Sequence, residues 1–230
     1  MNSRIIKMEI KSFRRIFYKK NKFYPNKKTL VFIHGISSSS SAWDNYVNKL
    51  GNDYNLLVFD IMGHGKSYRP KNISKYKLRL ISRDLYLILK KERINKVNVI
   101  SHSFGSFVSL DFIKSHRNMV ESMIFISSCS NFIGNKFKTI ARPFTSPLFI
   151  KLIPKKEEGG HIDYSHYFGT GDFNLGRLFV DIQNTGLKYY LIYLKEIMDY
   201  EAHKILKSIN FPTLFIHGSK DKIIPLRFGL

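Results

Sequence analysis

Over its first 130 residues the chain alternates short, unbroken apolar runs with longer amphipathic stretches. The runs Thr29-Leu30-Val31-Phe32-Ile33, Asn55 to Phe59, Val97 to Ile100 and Ser122 to Ser127 are rich in β-branched and aromatic residues. A strand with one wet face would alternate apolar and polar positions, whereas an unbroken run marks a strand covered on both faces. Between the runs, Trp43 to Leu50 reads as a helix. Ser74 to Arg93 carries Leu78, Ile81, Leu85, Ile88 and Leu89 at helical spacing, and Phe104, Phe107, Val108, Leu110, Phe112 and Ile113 repeat that pattern. Buried strand alternating with helix predicts a mostly parallel, doubly wound α/β sheet. Upstream, Ile5 to Ile10 and Phe13 to Tyr18 predict two short strands of a hairpin turning at Lys11-Ser12, followed by a turn-rich connection through Pro25.

The rhythm breaks after Cys129. Residues 131–204 contain no clean strand pattern, are interrupted by Pro143, Pro147 and Pro154, and carry loop signals at Gly159-Gly160 and Gly169-Thr170-Gly171. Helical patches lie at Leu178 to Gln183 and Lys188 to Met198. The segment is rich in Phe, Tyr, Ile and Leu, so it is not a linker. It predicts a helical insertion over the active edge of the sheet, dividing the core into 1–130 and 205–230. The strand pattern returns at Pro212-Thr213-Leu214-Phe215-Ile216-His217-Gly218.

Candidate chemistry sits where strand gives way to helix. Val99-Ile100-Ser101-His102-Ser103-Phe104-Gly105 must turn within about four residues, which holds the Ser103 hydroxyl out from the backbone at a helix N-terminus. There it can attack a carbonyl, with the Phe104 N–H receiving the oxyanion. The pattern is S-x-S-x-G, with Ser101 where the usual G-x-S-x-G has glycine; serine is small enough for the turn. His34-Gly35-Ile36 closes the Thr29 to Ile33 strand, and the N–H of Ile36, or of Ser37, is positioned to be a second oxyanion donor. Asp60-Ile61-Met62-Gly63-His64-Gly65-Lys66-Ser67 contains Gly-Lys-Ser, but a phosphate loop needs glycine where Asp60 stands, and Pro70 prevents a helix from starting there. Asp221 follows the last strand, where a carboxylate can orient a catalytic histidine.

Composition narrows the setting. The chain has 230 residues, 43% of them hydrophobic, and no apolar run near 18 residues. The N-terminus lacks the apolar core of a signal peptide. Cys129 is the one cysteine, which excludes an intrachain disulfide and points to a reduced, cytoplasmic setting. No Cys/His spacing reads as a zinc site. Thirty-eight basic against 17 acidic residues leave a net charge of +21. That charge suits an acidic partner, such as a carrier protein or an anionic lipid surface, or reflects a compositional bias toward Lys, Asn, Ile, Tyr and Phe. The lysines are scattered without a basic arm, so no nucleic acid is expected.

Taken together, His34-Gly35, Asp60-x-x-Gly-His-Gly-x-Ser67, Ser101-x-Ser-x-Gly105 and the Pro212 to Pro225 segment resemble the α/β-hydrolase fold family, especially its capped esterase and lipase-like members. The order and spacing match over essentially the whole chain, the cap loosely. The resemblance implies Ser103 as nucleophile, Asp221 as the acid, the Ile36 and Phe104 N–H groups as oxyanion hole, and His34, Gly35, Ser37 and His102 beside the substrate. Asp60 and the Gly63 to Gly65 turn become structural, and no cofactor is needed. The expected activity is hydrolysis of a carboxylic ester through an acyl-enzyme. Thioester, lactone and carbon–carbon substrates stay open, as does an inactive binding protein of the same fold. A serine nucleophile argues against epoxide or haloalkane opening. The aromatics of the insertion, including Phe144, Tyr164, Tyr167, Phe168 and Tyr189, suggest an apolar acyl pocket. One departure stands out. The family places its histidine after the acid, and only nine residues follow Asp221 here. The eight histidines include His161 and His166 in the insertion as the two substitutes to weigh. The expectation is that the triad histidine lies outside these 230 residues and that they are inactive by themselves.

Overall fold

The four unbroken runs are strands, and they pair in parallel. In a computed structural model that describes residues 6–128, 135–156, 179–180, 182–183, 185–198, 200–221, 224 and 226, the strands are β1 (Glu9–Phe13), β2 (Ile16–Lys20), β3 (Thr29–Ile33), β4 (Asn55–Phe59), β5 (Val97–His102), β6 (Val120–Ile126) and β7 (Thr213–Ile216). They form one sheet in the order β1-β2-β4-β3-β5-β6-β7. The β1–β2 and β2–β4 pairs are antiparallel, and the rest are parallel.

Burial explains the runs. Every residue of β3 and β4 is buried, because the sheet is covered on both sides. Val31, Ile33, Leu57, Phe59, Val97 and Val99 face a core with α2 (Leu78–Lys91) and α3 (Phe104–His116). Leu30, Phe32, Leu56, Val58 and Ile100 face the other way, onto Trp43 and onto Val47 of α1 (Asp44–Leu50). Ten consecutive residues of α3, Phe104 to Ile113, are buried, as fits a helix enclosed by its neighbours rather than lying on the surface.

The hairpin differs from expectation. Its turn is at Arg14-Arg15, not Lys11-Ser12, and Phe13 pairs with Ile16. Both turn residues have positive φ, 52° and 65°, as a two-residue turn matching the strand twist requires. Such turns ordinarily use Asn or Gly, so two arginines conceal it in the sequence. Between β6 and β7 come α4 (Asn135–Phe144), α5 (Pro147–Leu152), α6 (Leu187–Met198) and α7 (Ala202–Leu206). The first helical patch of the insertion, 178–183, lies partly outside the described residues; the second is α6. Helices α4 and α5 pack on α6, and α7 packs on α3. Among the described residues no helix is long and apolar enough to cross a membrane.

Candidate active site

The site is assembled from loops at the C-terminal ends of β3, β4, β5 and β7, where ligands bind in open α/β sheets. At the end of β5, Ser103 takes φ 49° and ψ −116°, a conformation that L-residues adopt only when the surroundings impose it. Here they do. The Ser103 N–H donates to Ile126 O at 3.0 Å, and Ser103 O accepts from the Ser106 N–H at 2.9 Å. Gly105 lets α3 start hard against β3: a Cβ there would lie 2.6 Å from Ile33 O and 2.7 Å from His34 O. Ser101 is completely buried, with its Oγ 3.4 Å from Ser106 Oγ. Ser106 in turn hydrogen-bonds Ser128. The serine that replaces the usual glycine is thus absorbed by a small hydroxyl cluster under the elbow.

The side of the elbow where the oxyanion hole is expected is built by two loops that clasp each other. His34 Nε2 accepts from the Ile61 N–H at 3.0 Å, which leaves Nδ1–H to donate to Gly35 O at 2.8 Å. His64 Nε2 accepts from the Ser37 N–H at 3.0 Å, and its Nδ1–H faces Met62 O at 3.3 Å. Burial pushes both imidazoles below the ordinary histidine range. For His34 it outweighs the opposing pull of Asp60 and of Gly35 O; for His64 the neighbouring His34 and Arg69 add to it. Asp60 completes the clasp, accepting from the Ser40 and Lys66 N–H groups at 2.7 Å each. Gly65, at φ 46°, is where a Cβ would meet Asp60 Oδ2 at 2.2 Å, and Ser67 Oγ donates to Asp60 O at 2.6 Å. The D-x-x-G-H-G-x-S pattern is therefore a set of internal hydrogen bonds.

This geometry sorts the candidate residues. Gly35 lies against the elbow: a Cβ there would be 2.8 Å from His102 Nδ1 and 3.4 Å from Ser103 Cβ. His102 is half-buried beside it. His34, in contrast, is fully buried with both ring nitrogens bonded to backbone, so it holds the loop rather than presenting a polar atom to a ligand. The Ser37 N–H is committed to His64, which removes it as an oxyanion donor. Ser37 is itself buried, and its Oγ has no hydrogen-bond partner. Among the described residues, the N–H groups of Ile36 and Phe104 have no protein acceptor. Phe104 N–H also lies at the α3 N-terminus, where the helix dipole favours negative charge.

Asp221 sits past β7, two strands from the elbow, a separation of about 10 Å at the usual strand spacing. Its Oδ1 accepts from the Ile224 N–H at 2.9 Å, and its Oδ2 lies 3.7 Å from His217 Nε2. His217 Nε2–H donates to Ile224 O at 2.6 Å. Sequence reasoning passed over His217 as a strand-end residue; its local signal is the four-residue spacing to Asp221. Among the described residues no histidine hydrogen-bonds Ser103. His116 stacks on Tyr86 at 3.9 Å, and His203 lies on α7. His161 and His166 fall outside the described residues, as do Tyr164, Tyr167 and Phe168. Of the other proposed pocket aromatics, Phe144 is exposed and packs edge-on against Phe149, while Tyr189 is buried. The segment between β6 and β7 touches the elbow through Tyr193 of α6, whose ring meets Phe104 at 4.9 Å and whose hydroxyl donates to Met62 O. Among the described residues no group of three His, Cys, Asp or Glu side chains is placed to hold a metal ion.

Known proteins share this fold. An uncharacterized protein of Mycobacterium tuberculosis is 22% identical over 217 residues, covering 86% of this chain and 63% of its own length. The chain thus spans less than two thirds of that relative. A probable lysophospholipase of Arabidopsis thaliana, BODYGUARD 4, is 30% identical over 106 residues, 44% of this chain and 24% of its own. The crystal structure of MGS-M2, an alpha/beta hydrolase enzyme from a deep-sea metagenome library, superposes with a TM-score of 0.72 at 18% identity, covering 96% of this chain and 82% of that one. A family model of the alpha/beta hydrolase fold matches residues 28–158, from the strand that precedes the clasp to well beyond the elbow. More than half of the sequence is matched, and this chain belongs to the α/β hydrolase fold family.

Proposed function

We propose that the protein hydrolyses a carboxylic ester through an acyl-enzyme on Ser103. The observation that carries this is the elbow: a serine held at φ 49° and ψ −116°, with Gly35 packed against it, while the N–H groups of Ile36 and Phe104, next to these residues in the chain, have no acceptor among the described residues. In this reading Ser103 Oγ bonds to the acyl carbon, and the carbonyl oxygen takes up the displaced electron pair as an oxyanion facing the two N–H groups. The alkoxide leaves with the proton taken from Ser103, and water then releases the acid. The proton needs a base. The gap of about 10 Å between the ends of β5 and β7 accommodates one imidazole, hydrogen-bonded to Ser103 on one side and to Asp221 on the other. The name of the Arabidopsis relative supports an acyl-ester substrate, since a lysophospholipase cleaves one. The insertion, with α6 resting on the elbow, is the cap that shapes the substrate range.

A second reading, a binding protein that keeps the fold without turnover, is favoured by one observation: among the described residues no histidine hydrogen-bonds Ser103. A fluorophosphonate probe separates the two. The expected result is labelling of Ser103 alone, abolished in Ser103→Ala, with slow hydrolysis of an activated ester that added imidazole accelerates. Equal labelling of Ser103→Ala would overturn the assignment. Neither labelling nor hydrolysis, even with imidazole, would establish the binding reading.

A further inference from the structure

Outside the elbow, a cleft of about 790 Å³ lies between the β1–β2 turn, the loop after β4 and the segment between β6 and β7. Arg15, Lys66, Arg69, Lys71 and Lys155 line it, and none of the described lining residues is acidic. Five cations on one concave wall repel each other, and ordinarily carboxylates would be interleaved among them. Here aromatic rings support three of them instead. The Arg15 guanidinium lies 4.9 Å from the centre of the Tyr68 ring, that of Arg69 5.5 Å from Tyr189, and the Lys66 ammonium 5.2 Å from Phe17. Rings position a cation without neutralising it. None of the five makes an ion pair among the described residues.

Arg69 is the telling residue. Its Nε and Nη2 are buried and have no hydrogen-bond partner, although a guanidinium buried without acceptors is costly. Asp60, a carboxylate that favours its charge, already accepts two backbone N–H groups. Burial works against the Arg69 charge, while Tyr189, Tyr76, Tyr193 and Asp60 favour it. Across the cleft, Arg15 stands in a left-handed turn at φ 65°.

We propose that this cleft binds a phosphate ester, with Arg69 and Arg15 taking the phosphate oxygens and Lys66, Lys71 and Lys155 supplying surrounding charge. A planar guanidinium offers paired N–H donors that match two oxygens of a phosphate. The cleft is too large for phosphate alone, and the Tyr68 and Tyr189 rings give an organic substituent a surface to lie on. The site is separate from the elbow: the rings of Tyr189, Tyr76, Tyr193 and Phe104 stand between them in successive contacts of 5.4, 5.6 and 4.9 Å. The inference is independent of the reaction proposed for Ser103, and its readout is binding.

The test is calorimetric titration of the full chain with glycerol 3-phosphate in low salt, beside co-sedimentation with phosphatidylglycerol or phosphatidylcholine vesicles. The expected result is saturable, one-to-one binding, weakened at least tenfold in Arg69→Gln and about threefold in Lys71→Gln or Lys155→Gln, and weakened by salt in every case. Binding of the soluble ester assigns the phosphate to a small molecule. Binding to phosphatidylglycerol vesicles alone, lost in the same variants, assigns it to a lipid headgroup. Should Arg69→Gln fail to fold, the two exposed lysine variants decide. Absence of binding to either probe, or binding unchanged in the lysine variants, overturns the proposal.

Discussion

Replacing Gly105 by alanine tests whether the elbow depends on how closely α3 approaches β3. The added Cβ would sit 2.6 Å from Ile33 O and 2.7 Å from His34 O, and ordinary contact begins near 3.4 Å. Both obstacles are backbone atoms, one closing a strand buried at every position and the other in the fully buried residue after it, so the N-terminus of α3 must retreat by about 0.8 Å. Overpacking of this kind costs about 1–3 kcal/mol. Alanine's better helix propensity offsets up to about 1 kcal/mol of it. Stability should therefore fall by roughly 1 kcal/mol, a modest change. Reactivity has no such offset. Ser103 and the Phe104 N–H ride on the displaced turn, and a shift near 1 Å costs on the order of 100-fold in rate. Gly35→Ala provides the contrast. Its nearest obstacle is His102 Nδ1 at 2.8 Å, an atom of a half-buried side chain rather than of the backbone. Urea denaturation gives the stability, and the rate of fluorophosphonate labelling gives the reactivity. Gly105→Ala should label far more slowly than Gly35→Ala at similar stability. Labelling of Gly105→Ala at the parental rate would refute the argument.

Three further outcomes are expected. Burial pushes the Asp84 carboxyl up to about 6, against the pull of Arg14 and Arg83. Between the ordinary carboxylate range and that value the native state keeps a proton the unfolded chain has released, so stability falls as pH rises through this window. Asp84→Asn should melt higher than the parent at about pH 7.5, by roughly 1 kcal/mol allowing for partial exposure, with the gap closing near pH 4; a lower melting temperature at the higher pH counts against this. His64→Ala removes the acceptor of the Ser37 N–H and a donor to Met62 O. It should cost about 1–3 kcal/mol and slow labelling of Ser103 by loosening Ile36, and unaltered labelling in a destabilised variant would show that the clasp does not position the oxyanion loop. Finally, β7 is an edge strand of the sheet among the described residues, and its Leu214, Phe215 and Ile216 are 52%, 40% and 47% exposed. Such an edge invites pairing between chains, so Leu214→Lys should reduce concentration-dependent association in light scattering, and no change would place the association elsewhere.

What the sequence alone determined was whatever local pattern dictates. Unbroken apolar runs placed β3, β4 and β5 in a sheet covered on both faces, because no other arrangement hides consecutive apolar side chains. Small residues around Ser103, between a strand pattern and a helix pattern, located the elbow. The hairpin turn escaped because its signal is normally Asn or Gly, and Arg14 and Arg15 adopt positive φ only under the strands' constraint. The rest was decided in three dimensions. His34 and His64 each bond a backbone N–H 27 residues away, a relation no local window contains, and it turns one expected substrate residue into a structural one while using up the Ser37 N–H. His217 came to face Asp221 only when β7 and the turn after it were built. The net charge of +21 could be counted from the sequence, but not that five of its cations share one cleft, among them Arg69, whose buried Nε and Nη2 have no hydrogen-bond partner. Charge is additive along a chain, whereas its concentration on one wall depends on which loops the sheet brings together.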